Sequence, residues 1–208
     1  MRKQAYFITA TDTGVGKTFF TCGLAKAFRD MALSVGVMKP VESGCGVKKG
    51  LLMPTDSLML IKAAASTDPL DIVNPYRFRA TLAPNIAARL ERKRISLEKI
   101  KKCFSTITGR HDVTLVEGAG GILSPITNKM NNADLARLLG LSVIIVVPSR
   151  LGAVNQAMLA IEAARSRRLE IGAVVLNNMN GHRGRDASER FNKGEIERIG
   201  GVRVVEVG

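Results

Sequence analysis

The 208-residue sequence has no tryptophan, two tyrosines, two histidines and three cysteines, and each scarcity narrows what the chain can be. Cys22, Cys45 and Cys103 are odd in number and unclustered, which predicts reduced thiols in a cytoplasmic protein; none has metal-ligand spacing. His111 and His182 are isolated from one another, which points to surface or loop roles. No apolar run approaches the ~18–20 residues needed to cross a bilayer. Only a strand-length apolar run follows Met1-Arg2-Lys3-Gln4, so no signal peptide is expected either. Acidic residues are also scarce, 18 against 31 lysines and arginines, for a formal charge of +13. Much of that excess lies between Arg77 and Lys102, where Phe78 is the single aromatic residue among the basic ones, too little to support stacking on bases. The surplus therefore reads as a solvated basic helix face that attracts small anions, and no nucleic-acid partner is expected.

The length and a hydrophobic content of 46% suit one domain, residues 1–208, with a core that needs no disulfide or metal. Strand-like and helix-like segments alternate. Strands are expected at about Ala5–Thr9, Val35–Met38, Val113–Val116, Val143–Val147, Ala173–Leu176 and Val202–Val207. Helices are expected at about Lys17–Met31, Asp56–Ala65, Asn85–Leu90, Leu97–Phe104, Asn132–Leu139, Gly152–Arg168 and Ala187–Ile199. In the first helix Phe20, Leu24, Phe28 and Met31 should form the buried stripe, and Thr55 or Asp56 should cap the second. The continuous apolar run Val143–Val147 suits a parallel strand covered on both faces. The alternation predicts a three-layer α/β/α fold with a mostly parallel sheet, whose ligands bind beyond the C-terminal strand ends.

The stretch Ala10-Thr11-Asp12-Thr13-Gly14-Val15-Gly16-Lys17-Thr18 lies between the first strand and the first helix. A glycine-bearing turn running into Gly-Lys-Thr at a helix start is a phosphate-binding loop of the P-loop NTPase kind. Lys17 would reach the β/γ-phosphates and the Thr18 hydroxyl would sit on Mg²⁺. Lys39, at the second strand end, could hold transferred phosphoryl charge. Asp56 reads as either a helix cap or a hard oxygen ligand. Glu117 ends an apolar strand and precedes Gly118-Ala119-Gly120-Gly121, where backbone can approach a ligand closely, and it would complete the metal site.

Taken in order, Thr11–Thr18, Lys39-Pro40-Val41-x-Ser43-Gly44, Asp56, Asn74-Pro75-Tyr76, Glu117–Gly121 and Leu151-Gly152-x-x-Asn155 resemble the ATP-dependent dethiobiotin synthases. Ala10 stands where the family usually has the glycine that opens the loop, and Gln156 where many members have histidine. The resemblance implies a Mg²⁺- and ATP-dependent cyclo-ligase that joins CO₂ to 7,8-diaminononanoate and closes the ureido ring of dethiobiotin, through a carbamate and a carbamic–phosphoric anhydride. It makes Lys39, Lys17 and Thr13 the catalytic residues and Thr18, Asp56 and Glu117 the metal site. ATP would be bound by Gly14, Val15, Gly16, Lys17, Thr18, Phe19, Asp56, Glu117, Gly118, Ala119, Gly120, Asn177 and Asn178, with Asn177 at the adenine edge. The substrate would meet Thr13, Ser43 and Gly120, together with Gly152, Ala153 and Asn155 of a neighbouring subunit, which implies a homodimer. The alternatives are a partitioning-type nucleotide switch, which typically carries an extra lysine early in the loop, and a related amide-forming ligase. Positions 10 to 15 hold no lysine.

Overall fold

A computed structural model describes residues 3–178 and 187–208, so His182 lies outside the described residues. In chain order the elements begin with β1 (Gln4–Ala10), α1 (Lys17–Asp30), β2 (Val35–Met38) and β3 (Val41–Glu42). Next come β4 (Gly46–Lys48), β5 (Leu51–Met53), α2 (Thr55–Ala64), α3 (Leu70–Val73), β6 (Tyr76–Arg77) and α4 (Pro84–Leu90). They continue with α5 (Leu97–Arg110), β7 (Val113–Glu117), α6 (Asn132–Leu139), β8 (Ser142–Pro148), α7 (Ala153–Arg165), β9 (Ile171–Asn177), α8 (Glu189–Gly200) and β10 (Val204–Val207).

Among the described residues the main sheet has six strands in the order β10-β9-β8-β1-β7-β2, each neighbouring pair parallel. Alternate side chains divide it between two cores. Phe7, Val116, Val143, Ile145 and Val147 pack with Ile100 and Ile107 of α5, Leu135 of α6 and Ile161 of α7. Ile8, Ala10, Leu115, Ile144 and Val146 pack on the other face with Ala25 of α1 and Leu60 of α2. The expected three-layer α/β/α fold with a parallel sheet is therefore what these residues form. Because the strands run the same way, the segments after β1, β2, β7, β8 and β9 share one edge.

Several local expectations are corrected. On α1 the most buried residues are Thr21 and Ala25, with Phe20, Leu24 and Phe28 half-buried beside them. Met31 is 68% exposed, as the cap residue just past the helix end at Asp30. Helix α5 runs on to Arg110, since Ile100, Cys103 and Ile107 continue its buried stripe past Phe104. His111 does lie in a loop, between α5 and β7, but it is not a free surface residue. Its Nε2 lies 2.7 Å from the buried Asp68 carboxylate, which Arg110 also contacts at 2.8 Å. Burial pushes the Asp68 carboxyl up, but Arg110 and His111 outweigh it and hold the group below its ordinary range. All three cysteines are free thiols, Cys45 and Cys103 buried and Cys22 half-buried.

Candidate active site

The phosphate-type loop turns at two glycines in the left-handed region, Gly14 with φ 73° and Gly16 with φ 89°, where a side chain would strain the backbone. Ala10 does not take part in that turn. It is the last residue of β1, wholly buried opposite Val146, so its methyl group is core rather than an obstacle. Val15 is buried, Phe19 is 61% exposed, and the Asp12 carboxylate accepts from the Thr13 backbone N–H at 2.6 Å. Lys17 is buried at the start of α1, with its Nζ 3.3 Å from the Asp12 carbonyl. Burial, and then repulsion from Lys39, lowers its pKa to about 8 against the pull of Glu117, Asp56 and Asp12.

Three other segments bring their charges to this loop. Glu117 is the last residue of β7 and wholly buried; its Oε1 accepts from the Thr18 hydroxyl at 2.8 Å and from Lys39 Nζ at 2.5 Å. Lys39 follows β2, is 3% exposed and also donates to Asp56 Oδ2 at 2.8 Å. Burial alone would pull Lys39 down, yet Glu117 and Asp56 raise it well above the ordinary lysine range. Burial likewise pushes the Asp56 carboxyl up, but Lys39 outweighs it and keeps the group ionised below its usual value. Lys17, Thr18, Lys39, Asp56 and Glu117 thus form one cluster from four separated stretches of chain.

The Asp56 ambiguity resolves in favour of the cluster, because neither Thr55 nor Asp56 caps α2. Pro54 occupies the cap position with no side-chain hydrogen bond, and the carboxylate of Glu42 from β3 accepts from the backbone N–H of Asp56 and Ser57. Burial raises the Glu42 carboxyl above its ordinary range, opposed by Ser57 and Lys39.

The segment Gly118–Gly121 is shaped by a residue that the sequence reading did not single out. The side-chain amide of Asn132, fully buried at the first turn of α6, donates to the carbonyls of Ala119 and Gly121, each at 2.7 Å. Its Oδ1 accepts from Ala119 N–H at 3.3 Å. A Cβ on Gly118 would stand 2.7 Å from that same oxygen, and one on Gly121 3.0 Å from the Thr11 carbonyl. Gly120 has φ 74°, and its missing Cβ would lie 3.4 Å from the Thr13 hydroxyl, so those two residues are neighbours. The only available signal was an Asn directly after the helix cap Asn131, which by itself indicates nothing.

The remaining expected residues sit further out. Asn177 is buried at the end of β9 and its amide donates to the Val15 carbonyl at 2.9 Å, pinning the loop. Its buried Oδ1 has no hydrogen-bond partner among the described residues. Asn178 lines a cavity of about 200 Å³ with Ser149, Glu189, Arg190 and Glu206, at the strand ends of β8 to β10. Ser43 is half-buried directly after β3. Gly152 precedes α7 with φ 91°, Ala153 is buried and Asn155 is exposed on its first turn, outside the charged cluster. Gln156, one residue on, does face the loop: it lines a cavity of about 360 Å³ with Thr11, Asp12, Gly121, Leu123, Ser124 and Leu159. A larger cavity, about 1040 Å³, lies elsewhere, between α4, the start of α5 and residues 126–130, and carries Arg89, Lys93, Arg94 and Lys129.

The donors at the centre fit a hard divalent cation. Thr18, Asp56 and Glu117 offer only oxygens, and Oε2 of the fully buried Glu117 has no hydrogen-bond partner among the described residues. Among the described residues there is no group of three or more His, Cys, Asp and Glu side chains that could hold a metal by itself. A site here needs the threonine hydroxyl as well. No helix among the described residues is long and apolar enough to cross a membrane.

An AAA domain family model matches residues 4–207. The ATP-dependent dethiobiotin synthetase BioD of Anaeromyxobacter sp. (strain Fw109-5) is 44% identical over 95% of this chain and 86% of its own. Proteins of the same name are 36% identical in Thermodesulfovibrio yellowstonii (84% of this chain, 76% of theirs) and 33% identical in Methanocaldococcus jannaschii (97% and 92%). Among solved structures, the signal recognition particle 54 kDa protein of Aeropyrum pernix K1 aligns over 100% of this chain and 42% of its own (TM-score 0.60, 15% identity). A ParA family ATPase from Chlorobium tepidum TLS aligns over 98% and 83% (TM-score 0.58, 14% identity). The latter two likenesses concern the fold alone. From the family model and relatives that match across most of both lengths, the chain belongs to the ATP-dependent dethiobiotin synthetases and is an enzyme of that family.

Proposed function

We propose that the protein, acting as a single domain over residues 1–208, uses ATP to join CO₂ to 7,8-diaminononanoate and closes the ureido ring of dethiobiotin. The observation that carries this reading is Lys39. A nucleotide switch needs a phosphate loop and a metal site, whereas a buried, fully protonated lysine beside them is suited to a second anion next to the γ-phosphate. The names of the relatives supply the substrate pair.

In this reading one substrate amine and CO₂ give a carbamate, held by Lys39, the Thr13 hydroxyl, Ser43 and the Gly120 backbone. A carbamate oxygen attacks the γ-phosphorus of ATP and ADP leaves. The second amine then attacks the carbonyl carbon, and phosphate departs with the carbamate oxygen. Lys17 holds charge on the β- and γ-phosphates, and the backbone from Gly14 to Phe19 surrounds them. Thr18, Asp56 and Glu117 hold Mg²⁺, which neutralises phosphate charge when bound. Glu117 to Gly120 line the phosphate side. Asn178 and the unpaired Oδ1 of Asn177 serve the adenine.

The substrate carboxylate is taken by Gly152, Ala153 and Asn155 of a second copy. Support for a homodimer comes from Leu123 and Leu159, 50% and 60% exposed around the cavity beside the loop. We place the enzyme in the cytoplasm and assign it no nucleic-acid partner.

The test is mass spectrometry of a mixture of protein, diaminononanoate, bicarbonate, Mg²⁺ and ATP, with a Lys17→Ala control. Dethiobiotin is expected only with the unmodified protein and ATP. ATP hydrolysis without dethiobiotin would instead favour the switch.

A further inference from the structure

Helix α2 carries Asp56 into the charged cluster, yet nothing in its own sequence caps it. Pro54 has no side chain that can accept, and Thr55 supplies no cap. The cap comes from a residue twelve positions before Pro54 in sequence. Glu42 Oε1 accepts from Asp56 N–H at 2.9 Å; Oε2 accepts from Ser57 N–H at 3.0 Å and from the Ser57 hydroxyl at 2.6 Å. Each of Glu42's oxygens is thus committed to the first turn of α2.

Glu42 is itself held by the strand pair. It is 6% exposed, and its carbonyl accepts from Phe78 N–H at 2.9 Å where β3 runs beside β6. The two-residue strand pair therefore presents one carboxylate to one helix end. This matters because an aspartate near a helix start ordinarily turns back to bond the free amides there. With those amides taken, the Asp56 carboxylate is left to meet Lys39 at 2.8 Å.

We propose that Glu42 is a positioning residue for the active site: by capping α2 from outside, it frees the Asp56 carboxylate and aims it at Lys39 and the phosphate loop. This rests on the reading of that cluster as an ATP site. A plain structural cap would stabilise the fold without affecting how the cluster binds nucleotide with its cation.

The experiment compares wild type, Glu42→Ala and Glu42→Ala with Pro54→Ser, by site-resolved amide exchange and by ATP affinity with and without Mg²⁺. A serine at the cap position can accept from one of the two amides that Glu42 serves, that of Asp56 or of Ser57. In Glu42→Ala the Asp56 and Ser57 amides should exchange about tenfold faster, the loss of roughly one charged hydrogen bond's worth of protection. Affinity for ATP with Mg²⁺ should fall by a similar factor while that for ATP alone stays within about twofold, and Pro54→Ser should restore protection of the amide it caps and, with it, the affinity. Faster exchange with unchanged affinity, or rescue of thermal stability without rescue of affinity, would reduce Glu42 to a cap and overturn the proposal. If Glu42→Ala does not fold, Glu42→Gln keeps the shape and one carbonyl acceptor and should show the same pattern at smaller size. Wild type that protects both amides but binds no ATP would instead refute the ATP-site reading, and the proposal would fall with it.

Discussion

Replacing Asn132 tests whether the glycine-rich segment after β7 is built by this one side chain. Asn132→Ala removes donors from the Ala119 and Gly121 carbonyls and an acceptor from Ala119 N–H. Gly121 is buried and Ala119 half-buried, so one carbonyl is left dry and the other reaches some water. An unsatisfied buried group costs about 1–3 kcal/mol, which makes about 3 kcal/mol a reasonable total. For a chain of this size that is a fall in Tm of roughly 6–12 °C. Asn132→Asp keeps the shape but removes the donor and sets a carboxylate against two carbonyls, so above neutral pH it should be less stable than Asn132→Ala. Burial and those carbonyls raise the introduced carboxyl's folded pKa above its unfolded value of about 4. A group raised in this way stabilises the fold below the unfolded pKa and loses that contribution as pH rises through the folded one. The deficit of Asn132→Asp should therefore grow between pH 4 and pH 8, while that of Asn132→Ala stays flat. Urea midpoints across that range are the assay. Both variants lying within about 0.5 kcal/mol of wild type, the range of an ordinary surface change, would refute the reasoning.

The Asp68 carboxyl, held low by Arg110 and His111, adds stability that is present above its unfolded pKa and lost as pH falls through its folded one. Asp68→Asn should cost about 2–3 kcal/mol at pH 7, a gap that closes towards pH 3 in the same urea assay. Gly36→Ala would set a Cβ 2.4 Å from Ile107 Cγ2 and 2.7 Å from the His111 ring, and overpacking of that kind should cost about 1–3 kcal/mol in thermal unfolding. Lys17, whose pKa is lowered to about 8 in the free protein, should gain a proton when phosphate binds. Calorimetry in buffers of different ionisation enthalpy should show proton uptake near pH 8.5 and weaker ATP binding above it, and Lys17→Met should show neither.

Where a signal is local, the sequence carries it. The capping box of Asn131 and Asp134 and the left-handed Gly140 bound α6 at Asn132–Leu139, the span that the residues alone predict. The apolar run within β8 is continuous because α-helical layers cover both sides, as its division between two cores shows. Where partners are distant in sequence, little was legible. β3 and β6 are two residues each and pair across 35 positions, Val41 with Tyr76, so no window of sequence contains the pattern. The same distance hid Glu42 as the cap of α2. In the site, Lys17, Thr18, Lys39, Asp56 and Glu117 were each recognisable by type, but the ion pairs joining them depend on the parallel strand order. Asn132 illustrates the opposite case: it lies fully buried against the site's backbone, and in sequence it is one polar residue in a helix start.

The most direct measurement follows the oxygen atoms. Protein, diaminononanoate, Mg²⁺, ATP and ¹⁸O-labelled bicarbonate are mixed, and the released phosphate is analysed by mass spectrometry before the label washes into water. Attack by a carbamate oxygen on the γ-phosphorus predicts phosphate carrying one bicarbonate-derived ¹⁸O, formed together with dethiobiotin. Phosphate whose new oxygen comes from water would mean that the loop hydrolyses ATP without the carbamate, and would contradict the account.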